Sequence, residues 1–108
     1  MLIAAAALGE SLDAMIPEKY EDSSHLLMVE TDTMEILHCC EKTDESGACF
    51  LEPIEKLWCE AIVCGKIPQE IFKKIADLGV SRYRGPGLSA AEGIRGAEDN
   101  SLPLMVKE

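Results

Sequence analysis

Residues 61–87, AIVCGKIPQEIFKKIADLGVSRYRGPG, decide the fold class. Ala61, Ile62 and Val63 make a short apolar run that reads as a buried strand. Ile71, Phe72, Ile75, Ala76 and Leu78 then recur at helical spacing until Gly79 ends the pattern, and residues 80–83 resume as a strand. A helix is the usual crossover between parallel strands, and ligands of open α/β sheets bind outside the strand ends. Cys64 and Gly65 fall at that exit, which makes them the first candidates for a binding site. A thiolate there suits a soft metal, and glycine lets a ligand approach the backbone. The alternative is a core-facing thiol beside a turn glycine. Pro68 has no backbone donor, so the helix start that follows is a poor cradle for an anion.

Upstream, residues 2–8 are apolar and read as a first strand, and residues 9–24 form a polar connection containing Pro17. Loops of that length are often the ones that close over a site. HLLMVE (25–30) and EILHCC (35–40) are two more strands, and the short turn at Asp32 and Thr33 makes them an antiparallel hairpin. Beyond the acidic loop 41–47, Phe50, Leu51, Ile54, Leu57 and Trp58 recur at helical intervals. Pro53 marks the start of that helix or a bend in it, and Trp58 is expected on its packed face. Downstream, RYRGPG (82–87) is a strand-to-helix connection, and Ser89 with Glu92 matches a capping box opening a third helix towards Gly96 or Asn100. The order predicts one α/β domain over residues 1–100, a mixed sheet of about five strands with helices on its faces. The tail, 101–108, carries Leu102, Leu104, Met105 and Val106, to pack on the sheet or on a partner chain.

The 108 residues suffice for one core. Twenty acidic against ten basic residues give a net charge of -10, which repels a phosphate backbone, and Lys73, Lys74, Arg82, Arg84 and Arg95 are too dispersed to offset it. Nucleic acid is therefore not an expected partner. The apolar start, MLIAAAAL, carries no basic residue ahead of it and is far shorter than a membrane span, so a soluble, cytoplasmic protein without membrane contact is expected. Five cysteines, at 39, 40, 49, 59 and 64, are an odd number with no C-x-x-C pair, which predicts reduced thiols instead of a disulfide framework or zinc ribbon. With no G-x-S-x-G, no glycine-rich phosphate loop and no base-plus-orienter pattern, no enzymatic activity is expected.

His38, Cys39, Cys40 and Cys49 form a second constellation. Strand alternation turns Cys39 away from His38 and Cys40, so His38, Cys40 and Cys49 are the compatible set, with donors that iron, copper or zinc accepts. The other reading is a strand end with a solvated histidine and buried thiols. A carboxylate site built from Asp13, Glu30 and Asp32 is set aside because the first strand brings no acid to it.

LGESLDAMIPEKYEDSSHLLMVETDTMEI (8–36) and AIVCGKIPQEIFKKIADLGVSRYRGPGLSAAEGI (61–94), in this arrangement, resemble the dinitrogenase iron-molybdenum cofactor biosynthesis family, also called nitrogenase accessory-factor-like proteins. The resemblance runs from Ile3 to about Ala97. It implies a ribonuclease-H-like fold without nuclease activity, and a role in binding or carrying an iron-molybdenum cofactor precursor or a related metal-sulfur cluster. It also implies candidate ligands in the stretch before the first long helix. Pro68 departs from it, standing where a glycine would follow Ile67. The expected function is thus a non-enzymatic carrier, with Cys64, Cys49, Cys40 and His38 towards iron or molybdenum and Gly65 at the cofactor. Two alternatives are a protein-interaction module that has kept the fold and lost the cluster, docking a protein partner through its acidic surface and apolar tail, and a redox-sensing thiol protein.

Overall fold

In the computed structural model, which describes residues 1–105, the apolar first run becomes β1 (Leu2–Ala7). Ile3 and the four alanines that follow are buried, as a strand covered on both faces requires. β2 (His25–Glu30) and β3 (Glu35–Glu41) form the expected hairpin, and β4 (Ala61–Cys64) and β5 (Ser81–Arg84) complete a five-stranded sheet in the order β3-β2-β1-β4-β5. β1 pairs antiparallel with β2 and parallel with β4, and β5 runs parallel to β4, so the sheet is mixed as predicted.

Alternation along the strands divides the core in two. Ala4, Ala6, Leu26, Met28, Ile62 and Cys64 face α1 (Leu51–Lys56) and α2 (Gln69–Asp77), packing with Phe50, Ile54, Ile71 and Ile75. Ile3, Ala5, Leu27, Val29 and Val63 face α3 (Ala90–Glu98), packing with Ile94, Ala97 and Ile16 from the long connection. Full burial of each large aliphatic or aromatic side chain contributes about 1.5–3 kcal/mol.

The helix boundaries have local causes. A single 3-10 turn, Ala48–Phe50, precedes α1, and Pro53 is the third residue of α1, where a missing N–H costs no helical bond. α3 opens on the predicted capping box: Glu92 N–H donates to Ser89 Oγ at 3.1 Å, and Ser89 N–H donates to Glu92 Oε1 at 3.0 Å. Both α1 and α2 end in Schellman turns. Gly79 N–H donates to the Ala76 carbonyl and Val80 N–H to that of Ile75, and Trp58 and Cys59 donate in the same way to Glu55 and Ile54. Trp58 therefore does not lie on the packed helix face. α1 stops at Lys56, and Trp58 takes the left-handed residue of the turn, at φ 57, with 86% of its surface exposed.

The two edges of the sheet differ. Residues 103–105 lie along β5, where Arg84 N–H donates to the Pro103 carbonyl and Met105 N–H to that of Arg82, while Met105 is buried and Leu102 packs against the α3 face. The apolar tail thus covers the sheet as far as Met105, and Val106 lies outside the described residues with the rest of 106–108. The outer edge of β3 has no strand beside it among the described residues. No described helix is long and apolar enough to cross a membrane.

Candidate functional site

β3 lies at the sheet margin, and its side chains are mostly exposed. His38 stands opposite Met28 and Cys40 opposite Leu26, which places both on the α1 side, while Cys39 stands opposite Leu27 on the α3 side. A bulge at Met28 and Val29 leaves Leu37 without a cross-strand partner. The loop that follows is shaped by Asp44, whose carboxylate accepts from Gly47 N–H at 2.9 Å and Cys49 N–H at 3.1 Å. Gly47 sits at φ 80, its carbonyl accepts from the buried Tyr20 hydroxyl at 2.7 Å, and a Cβ there would lie 2.5 Å from the tyrosine ring. Pinned in this way, the loop presents Cys49 across from β3.

The result is an open cleft of ≈ 350 Å³ between β3 and α1, lined by His38, Cys40 and Cys49 together with Glu41, Glu52 and Lys56. Thr43 N–H donates to Cys49 Sγ at 3.4 Å, and Lys56 pairs with Glu52 at 3.1 Å one helical turn away. Burial, and then the nearby Cys49 and Glu52, push the Cys40 thiol above its ordinary range; burial and Glu10 do the same to Cys39 on the other face. A thiol held neutral in this way gives up its proton when a cation takes its place. Among the described residues, no three His, Cys, Asp or Glu side chains converge tightly enough to hold a metal ion unaided.

Cys64 and Gly65 do not line this cleft, although Cys40 and Cys49 pack against the core cluster that contains Cys64. Cys64 is fully buried in the α1 and α2 face of the core, where desolvation pushes its thiol up to about 12. Gly65 does make a close approach, but to the chain's own loop: a Cβ there would lie 2.2 Å from the Glu18 carbonyl oxygen and 2.4 Å from that of Pro17. Lys66 N–H donates to Glu18, Tyr20 N–H to Lys66, Ile16 N–H to Leu88 and Gly87 N–H to Ile16, each at 2.8–2.9 Å. Residues 9–24 thus fill the crevice outside the strand ends, where topology alone placed a ligand. Asp44 was legible as more than a solvated acid, since Asp three residues before a glycine is a turn-forming pattern. Glu52 and Lys56 carried no signal until α1 was set beside β3.

No protein-family model matches the chain, and no curated protein matches it. Solved structures do. The apo form of the orange protein from Desulfovibrio gigas superposes with a TM-score of 0.84 at 16% identity, over 98% of this chain and 93% of that one. A candidate NifB protein of the DUF35 family from Thermotoga gives 0.80 at 15%, over 99% and 95%. A candidate dinitrogenase from Methanocaldococcus jannaschii gives 0.69 at 24%, over 97% and 96%. The resemblance drawn from residues 8–36 and 61–94 is thus matched in three dimensions, and along nearly its whole length the chain has the fold of the orange protein and of dinitrogenase-related proteins.

Proposed function

We propose that this protein is a non-enzymatic, cytoplasmic carrier, on a ribonuclease-H-like fold, for a metal-sulfur cluster or iron-molybdenum cofactor precursor held in the cleft between β3 and α1. The observation that carries this reading is the meeting of two thiols and an imidazole, Cys40, Cys49 and His38, around one open cleft without closing into a cage. A bare ion needs three or four converging donors. A preassembled cluster already carries sulfide ligands of its own, so an open set of two thiolates and an imidazole suits it better than it suits a bare ion. The solved neighbours named for dinitrogenase and NifB support the same ligand class. Glu41 and Glu52 at the cleft favour the second reading, an interaction module without a cluster, because they repel a ligand of net negative charge.

Anaerobic reconstitution with iron, molybdate and sulfide separates the two. The carrier gives a chromophore at one equivalent that is lost in Cys40→Ser and Cys49→Ser and kept in Cys64→Ala. A colourless mixture, or colour indifferent to both cleft thiols, refutes it.

A further inference from the structure

A second groove opens on the far side of α1, and nothing in the cluster reading uses it. It has a volume of ≈ 870 Å³, lies where the C-terminal ends of α1 and α2 come together, and is lined by Trp58, Ile54 and Leu78 with Glu55, Glu60 and Asp77. Trp58 is 86% exposed and Leu78 is 36% exposed, apolar surface at the groove that costs solubility and contributes little to the core.

The backbone makes the tryptophan harder to account for by folding. The two helices end in the same hydrogen-bonded turn, whose left-handed residue is Gly79 at φ 77 after α2 and Trp58 at φ 57 after α1. Glycine adopts that conformation freely, whereas a bulky side chain is strained in it. α1 therefore carries a tryptophan at the position where glycine would terminate it best, and leaves the indole in water.

Charge identifies what the groove accepts. Three carboxylates line it, its one basic neighbour, Lys56, is paired with Glu52, and the negative end of the α2 dipole points the same way. An indole face beside carboxylates is a site for a guanidinium, which stacks on the ring and pairs with the acids. The net charge of -10 opposes both a nucleic acid and a second copy of this chain. We propose that this groove docks an arginine-bearing, otherwise apolar segment of a partner protein, with Trp58 as its anchor.

Trp58 is the only tryptophan in the chain, so its emission reports directly on the groove. Titration with a capped peptide of alternating leucine and arginine should give a saturable blue shift that weakens with salt. A peptide of alternating leucine and glutamate should give none. By calorimetry, Trp58→Gly should lose affinity at least about tenfold, as expected for an aromatic anchor, without lowering the thermal midpoint. Glu60→Gln with Asp77→Asn should weaken the arginine peptide in the same direction. Equal binding of the two peptides, or wild-type affinity in Trp58→Gly, overturns the proposal. So does a shift produced by protein concentration alone with a dimer in sedimentation, which would make a second copy the occupant.

Discussion

Raising the pH to about 10.5 should destabilise this protein through two thiols that are neutral in the fold and ionised out of it. Burial pushes Cys64 up to about 12 and Cys59, whose Sγ donates to the Ala61 carbonyl at 2.8 Å, up to about 11, both from an ordinary value of 9.0. A raised folded value means the stabilisation is complete below pH 9 and is lost as the pH climbs towards 11–12, because only the unfolded chain gains by ionising. At about pH 10.5 each thiol favours the unfolded state by about 2 kcal/mol, so the pair removes about 4 kcal/mol. That is a large part of the roughly 5–15 kcal/mol by which domains are stable. Tyr20, also raised by burial, acts in the same direction. Urea unfolding followed by far-UV circular dichroism under reductant, between about pH 8 and pH 10.5, measures the loss, and Cys64→Ala should remove about half of the slope due to the thiols. A flat profile, or a full slope in that variant, would refute the assignment of Cys64 as a neutral core thiol and reopen its candidacy as a ligand.

Two further outcomes follow from the same packing. Gly65→Ala should cost at least about 3 kcal/mol, read as a fall in thermal midpoint, because the new methyl meets backbone oxygens at Glu18 and Pro17 that cannot swing aside; an unchanged midpoint would mean that residues 17–19 do not cross the strand there. Iodoacetamide on the native protein should modify Cys39, Cys40 and Cys49 and spare Cys59 and Cys64 until urea is added, as read by intact mass, and early labelling of Cys64 would contradict its burial.

The fold was legible because its signals are local and consistent. The apolar runs, the 3.6-residue spacing of Ile71, Phe72 and Ile75, the Asp32 and Thr33 turn and the Ser89 and Glu92 box each act within a few residues. The pairing of His38 with Cys40 and the turning away of Cys39 followed from strand alternation alone. What sequence spacing does not carry is which segment fills a space. Gly65 signals close approach without saying to what, and residues 9–24 could be recognised as a loop over the strand ends but not as the occupant of the crevice. Trp58 shows the same limit from the other side: helical spacing groups it with Phe50 and Ile54, and only the end of α1 at Lys56 sets it in water.

The unequal edges of the sheet govern how this protein can assemble. Residues 103–105 lie along β5, while among the described residues no strand covers the outer edge of β3, whose row of backbone donors and acceptors is interrupted by its bulge. A strand joining this sheet side by side therefore meets the β3 edge directly, and meets β5 only across residues 103–105. The short segment that brings Met105 into the core thus also shields the β5 margin, so the two margins offer a partner strand different surfaces.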